Sequence, residues 1–266
     1  MTNFSEIASN YERNSLVQRS ASDQLFDLLQ IKENEDVLDL GCGTGNLTKK
    51  IREITSGKVL GIDASEGMIN EAKKNYSSFD ISFAVYSADQ LTYEDSFDVI
   101  FCNSTFQWFK NPDSVLGACL RTLRHNGRMG IQAPARKVYS PNFIEAVESV
   151  RLDSRLKDQF ASFEMPWFFL DTVEEYKLVF ENVGFDVLYA HIDRIVDSYS
   201  PEEVFAIFDS GAAAGYLNQE FYRTPISDEY VTAFKEVVRN AFTNQANSDG
   251  YVDLTFFRVY LLARKP

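Results

Sequence analysis

Asp39-Leu40-Gly41-Cys42-Gly43-Thr44-Gly45 is the stretch that decides the fold. Three alternating glycines follow Val37-Leu38-Asp39-Leu40, a short apolar run that reads as a buried strand. Glycine lets the backbone turn tightly and approach a ligand without a Cβ clash. A helix from Asn46 to about Thr55 should follow, with its free N–H groups presented to whatever occupies the loop. A glycine cluster does not single out a ligand, because NAD enzymes use one too. Two details favour S-adenosylmethionine. Asp39 precedes the glycines, where it can attract a cation. The spacing is also tighter than the dinucleotide pattern, since Asn46 stands where its last glycine would fall.

Downstream of the loop, strand and helix alternate. Val59-Leu60-Gly61-Ile62-Asp63 reads as a second strand, and Ser65 can cap the helix after it, with Met68, Ile69 and Ala72 on one face. Further strands are expected over Ile81–Tyr86, Phe97–Cys102 and Arg128–Ala133. A helix over Ser114–Leu123 should close at a His125-Asn126-Gly127 turn. This rhythm predicts a doubly wound, mostly parallel sheet of the α/β class, seven-stranded once the C-terminal part is added. Asp63 ends its strand 20 residues beyond Gly43, where an acid accepts hydrogen bonds from ribose hydroxyls; its other reading is a helix cap before Ser65.

After Pro134 the pattern turns helical, over 141–160, 172–182 and most of 201–243. Strands are expected at 185–198 and from Val252 to Leu262. The expected organisation is an N-terminal helical cap (1–35), a cofactor-binding core (36–135), a helical lid segment (136–184), and a C-terminal part of the sheet (185–266) with a helical insertion at about 201–247.

The chain has 266 residues, 45% of them hydrophobic, enough for a full core in one large domain or a domain with an insertion. Its net charge of −13 opposes nucleic acid and anionic membranes as partners. Cys42, Cys102 and Cys119 form no CxxC pair, so neither a disulfide framework nor a metal site is expected. Residues 1–8 lack the character of a signal peptide, and no apolar run nears the ~18 residues of a membrane span. The expectation is a cytoplasmic protein.

The run Val37–Gly45, then Ile62-Asp63, Ala88-Asp89 and Phe97-Asp98-Val99-Ile100, resembles the ordered motif set of class I S-adenosylmethionine-dependent methyltransferases. The resemblance covers residues 37–133 and implies a Rossmann-like methyltransferase fold. It implies that Asp89 reaches the adenine amino group, with Ala88 and Gln90 flanking the ring. Ala64 and Met68 would lie near the adenosine, and Asn103 would face the methionine part. Tyr11 and Gln18 resemble the N-terminal helices of a narrower group, in which this segment closes over the cofactor carboxylate. Phe106-Gln107-Trp108, Ile131-Gln132-Ala133-Pro134 and the C-terminal Asp249–Tyr260 stretch look like trans-aconitate methyltransferase. Related patterns occur in malonyl-carrier-protein and juvenile hormone acid methyltransferases, all of which esterify carboxylates.

That resemblance implies an enzyme that methylates a small molecule, in first place the carboxyl oxygen of a small or acyl acid, and that releases S-adenosylhomocysteine. A carboxylate is already ionised at pH 7, so alignment and exclusion of water suffice, and the lack of a nucleophile triad or metal cluster is no objection. Trp108 is a pocket candidate, His191 a candidate base, and Arg194, Arg223 and Arg258 are candidate carboxylate partners. Tyr189, Tyr199, Tyr216 and Tyr260 can supply hydroxyls. The competing readings are an N- or C-methyltransferase of a metabolite or natural product, a protein or nucleic-acid methyltransferase, and a cofactor-binding protein without catalysis.

Overall fold

The structure, a computed structural model, describes residues 21–266. Tyr11 and Gln18 lie outside the described residues. Two compact units are formed: one takes the chain up to Pro134, Phe168–Ile192 and Val259–Pro266, and the other takes Ala135–Trp167 and Asp193–Arg258.

The first unit is built on the sheet. The elements run α1 (Ala21–Leu29), β1 (Val37–Leu40), α2 (Asn46–Ile54), β2 (Val59–Asp63), α3 (Glu66–Asn75), β3 (Ser82–Val85), β4 (Phe97–Asn103), α4 (Pro112–Thr122) and β5 (Leu123–Pro134). α7 (Val173–Val183) follows, then two long strands, β6 (Asp186–Tyr199) and β7 (Val252–Arg264), each with part of its length in either unit. The strand order is β3-β2-β1-β4-β5-β7-β6. β1 pairs in parallel with β2 and β4, as do β2 with β3 and β4 with β5. β7 runs against β5. Asn126, early in β5, donates to the Lys265 carbonyl beyond the end of β7, while Ala135, beyond β5, donates to Phe257 early in β7. The seven-stranded, mostly parallel sheet expected from the sequence is thus present, with its central strands buried on both faces.

α1 shows why the sheet face is covered. It buries Leu25, Phe26, Leu28 and Leu29. A Cβ on Gly130 of β5 would lie 2.7 Å from Leu29 Cγ, so the glycine is what lets this helix sit close. Phe26 meets Phe101 of β4 at 4.7 Å between ring centroids. The end of the sheet away from the glycine loop is tied by charge. Arg124 bridges Asp36 and Asp98, each at 2.7 Å, and Arg128 bonds Glu35 at 2.7 Å and the Leu29 carbonyl at 2.8 Å.

Two local expectations change. His125-Asn126-Gly127 does not end α4; it is a bulge inside β5, where pairing with β4 jumps from Phe97↔Leu123 to Val99↔Arg128. Asn126 does take the positive φ (63°) that its turn chemistry allows, but hydrogen bonds to and from Lys265 keep the segment in the sheet. On α3, Ile69 and Ala72 are buried as expected, whereas Met68, one position round the helix, is 45% exposed.

The second unit is mostly helical: α5 (Pro141–Leu152), α6 (Lys157–Phe160), α8 (Pro201–Ser210), α9 (Ala213–Tyr216) and α10 (Asp228–Asn244). Its core is aromatic. Phe143 meets Phe208 edge-on at 5.1 Å and Phe242 at 5.6 Å, and Tyr216 stacks on Phe208 at 5.9 Å. Gly215 is indispensable here, because a Cβ at that position would overlap the Trp167 ring. The Tyr222 hydroxyl donates to the Tyr216 carbonyl at 2.6 Å, which satisfies a polar group inside this core. α7 belongs to the first unit. It starts at a capping box, Thr172 with Glu175, and stops at Gly184 with φ of 108°.

Candidate functional site

The glycine loop joins β1 to α2 at the carboxyl end of the parallel strands, beside the point where β2 and β4 diverge on either side of β1, the usual ligand crevice of an open α/β sheet. Gly41, Gly43 and Gly45 have φ of 78°, 54° and 85°, a region that residues with a Cβ rarely adopt. The surroundings of the three differ. A Cβ on Gly41 would overlap Thr105, and one on Gly45 would lie 2.9 Å from Phe83 and 3.0 Å from Tyr76. One on Gly43 would meet nothing within 4 Å among the described residues. Among the described residues the loop is therefore crowded at its two outer glycines and open at its middle one. Gly45 caps α2 without a side-chain hydrogen bond, which leaves the first turn of that helix to offer its N–H groups.

The loop is held by the end of β2. The Ile62 carbonyl accepts from Gly41 N at 2.8 Å and from Cys42 N at 2.9 Å. Asp63 Oδ2 accepts from Gly43 N at 3.0 Å, and its Oδ1 accepts from Ser65 N at 2.8 Å. The helix-start reading of Asp63 is met, and the same carboxylate also holds the loop. It organises the start of α3, it clasps the loop, and each oxygen keeps a lone pair for a further donor.

Asp39 points the other way, inward. It is 2% exposed and accepts from the Thr48 hydroxyl at 2.6 Å. Burial pushes its carboxyl up to about 7; the Thr48 hydrogen bond opposes the rise and the charge of Asp63 adds to it. Burial likewise pushes the thiol of Cys42, inside the loop, well above its ordinary range.

The remaining cofactor candidates line the ends of β2, β3 and β4. Ala64 and Met68 are exposed, at the start of α3. Ala88, Asp89 and Gln90 form a single 3-10 turn, in which Asp89 is exposed and accepts from the Ser87 hydroxyl. Asn103 ends β4 opposite Gln132 of β5. The chain then turns through Ser104, whose φ of 53° is unusual for a residue with a side chain. Ser104 N donates to the Gln132 carbonyl at 2.7 Å, and Gln107 Nε2 donates to the Ser104 carbonyl at 2.8 Å. This turn carries Trp108, 37% exposed.

Of the other chemistry-bearing candidates, His191 is exposed on β6 within the first unit. Arg194, Arg223 and Arg258 belong to the second unit. Arg194 is exposed on β6. Arg223 pairs with Glu164 at 2.7 Å at the surface, and the Arg258 guanidinium lies 4.9 Å from the Phe256 ring centroid. Tyr216 and Tyr260 are buried, and burial raises the Tyr216 hydroxyl to about 12. No group of acids, histidines or cysteines able to hold a metal ion occurs among the described residues. No helix there is long and apolar enough to cross a membrane.

Sequence reasoning missed four contributors: Thr48 under Asp39, Thr105 over Gly41, Ser104 with its left-handed backbone, and Tyr76 against Gly45. Only Ser104, following an asparagine at a strand end, carried even a weak turn signal.

A model of the family described as "Methyltransferase domain" matches residues 31–198. A malonyl-[acyl-carrier protein] O-methyltransferase of Acetivibrio thermocellus is 27% identical over 160 residues, which are 59% of this chain and 56% of the relative. The chain thus spans little more than half the length of that curated relative. Malonyl-[acyl-carrier protein] O-methyltransferase 1 of Ilyobacter polytropus is 25% identical over 99% of this chain and 92% of its own. Among solved structures, a methyltransferase-like protein of Bacillus halodurans superposes with a TM-score of 0.61, at 16% identity, over 92% of this chain and 98% of its own. That last likeness is one of fold.

Proposed function

The chain belongs to the methyltransferase-domain family, and from that premise we propose that it transfers a methyl group from S-adenosylmethionine to a small molecule, in first place to the carboxyl oxygen of a small or acyl acid. The observation that carries the cofactor part is the glycine loop, open at Gly43 among the described residues and clasped by Asp63. The residues present fit the cofactor. An adenosine ribose offers two hydroxyl donors, and the Asp63 oxygens keep acceptor capacity beyond their bonds to Gly43 and Ser65. Exposed Ala64 and Met68 offer apolar surface to the adenosine, Asp89 an acceptor for the adenine amino group, and the first turn of α2 free N–H groups for a carboxylate. Asn103 is assigned to the methionine part.

The cofactor supplies, when bound, a methyl group activated on a positively charged sulfur. The protein then needs to hold an acceptor in line and keep water out. A carboxylate arrives ionised at neutral pH, so no residue has to remove a proton. In this reading Asn103, at the end of β4, and Trp108, on the turn that follows, border the acceptor. The O-methyltransferase names of the relatives, given for a malonyl group that carries a free carboxylate, support an acid. The net charge of −13 supports a small molecule over nucleic acid, and a cytoplasmic enzyme remains the working assignment.

One observation favours N- or C-methylation of a metabolite instead. Arg223 already pairs with Glu164, and Arg258 lies against an aromatic ring. The test is a panel of aconitate, other di- and tricarboxylates, fatty acids, amines and phenols, read by adenosylhomocysteine release. Turnover of acids is expected. Turnover confined to amines or phenols would overturn the carboxylate reading and leave methyl transfer standing.

A further inference from the structure

The glycine loop has a second brace, at its far end. α3 closes at Tyr76, whose hydroxyl donates to Asn46 Oδ1 at 2.5 Å. Asn46 is the first residue of α2 and stands where a dinucleotide fingerprint would place a glycine. Its Nδ2 points back to the Thr44 hydroxyl at 3.5 Å, inside the loop. The Tyr76 ring packs with Phe83 at 6.4 Å between centroids and against the cluster of Cys42, Ile69, Ala72 and Phe83. Gly45 sits against these two rings. The ring is thus anchored by packing while its hydroxyl reaches the helix terminus that the ligand would use.

We infer that Tyr76, acting through Asn46, is a positioning residue that fixes the first turn of α2 for the methionine end of the cofactor. The inference rests on reading this loop as the adenosylmethionine site. Asp63 clasps the loop at Gly43, and Tyr76 clasps it three residues later, so both clamps come from the segment that runs from the end of β2 to the end of α3. A loop held at two points has little freedom left to lose when a ligand binds, and affinity gains by that amount. Tyr76 touches no reacting atom; its effect passes through the position of the backbone N–H groups at 46–48.

The experiment compares wild type with Tyr76→Phe, Asn46→Ala and the double variant. Phenylalanine keeps the packed ring and removes only the hydroxyl, so the fold is retained. Two readouts are taken: adenosylhomocysteine affinity by calorimetry, and amide hydrogen exchange over 43–49 in ligand-free protein. Each single change is expected to weaken binding about three- to tenfold, as for a lost hydrogen bond, and to speed exchange in the loop. The double variant is expected to lose no more than the worse single one, because the two groups make one contact. Wild-type affinity and exchange in Tyr76→Phe would overturn the role of Tyr76 alone, as would fully additive losses. A wild-type protein that does not bind adenosylhomocysteine would overturn the cofactor reading and this role with it.

Discussion

Replacing Asp39 by asparagine should change how stability depends on pH more than it changes stability itself. Asp39 is 2% exposed and accepts a hydrogen bond from the Thr48 hydroxyl at 2.6 Å. Burial pushes its carboxyl up to about 7, against 3.8 for an ordinary aspartate. The folded state therefore keeps a proton that the unfolded state has released. Stability contributed by the neutral acid is complete below the unfolded value, falls as pH rises from there, and is lost once pH passes the folded value of about 7. A rise of this size corresponds to about 4 kcal/mol over the whole window, of which about 3 kcal/mol falls between pH 5 and pH 8. Asparagine has the same shape, retains an acceptor for Thr48, and does not titrate. The assay is urea unfolding of both proteins at pH 5, 6, 7 and 8, followed by the fluorescence of Trp108 and Trp167. Every other titrating group is shared, so the difference between the two curves isolates position 39. Wild type should lose about 3 kcal/mol more than Asp39→Asn across this range. Curves that run parallel would refute the argument and mean that the Asp39 carboxylate stays charged in the folded protein.

Further outcomes follow from the loop. Gly43→Ala should fold with a cost of about 1–2 kcal/mol for its left-handed backbone and yet lose adenosylhomocysteine binding, whereas Gly41→Ala, which drives a methyl group into Thr105, should lower the unfolding midpoint sharply; both are read by thermal melts with and without ligand. Asp63→Ala should weaken adenosylhomocysteine binding by about 1.5–3 kcal/mol in calorimetry, and Asp63→Asn should not restore it, because an amide nitrogen would then face one of the two N–H donors of Gly43 and Ser65.

Features that depend on neighbours in the chain were legible in the sequence. β1 lies between Asp36 and Gly41, β2 ends its apolar run on Asp63, and α7 is bounded by Thr172 and Gly184, each with a local physical reason. The glycine loop was legible for the same cause, since its conformation is set by residues that lack a Cβ. Partners distant in sequence were not. Asn126-Gly127 has the composition of a turn and takes the backbone of one, but Lys265, 139 positions beyond Asn126, keeps it in the sheet. Asp39 read as an acid facing a ligand because nothing in the loop reveals that Thr48 will come round on the first turns of α2 to meet it. The arginines read as candidate anchors because charge is visible in sequence, whereas Glu164 as the partner of Arg223 is a property of the fold.

The strand order has a consequence for the order of synthesis. β7 follows β6 in the chain, yet it lies inside the sheet, between β5 and β6. A ribosome that has delivered β6 has not delivered the strand that joins β6 to the rest. The parallel strands β1 to β5 can assemble early from contacts close in sequence. β6 and the edge of β5 have to wait until residues 252–264 emerge. During that interval the nascent chain shows two strand edges that are covered in the finished protein, and such edges invite pairing with other chains. A premature stop just before Val252 would leave this state permanent, so losing that one strand should expose the edges of both β5 and β6.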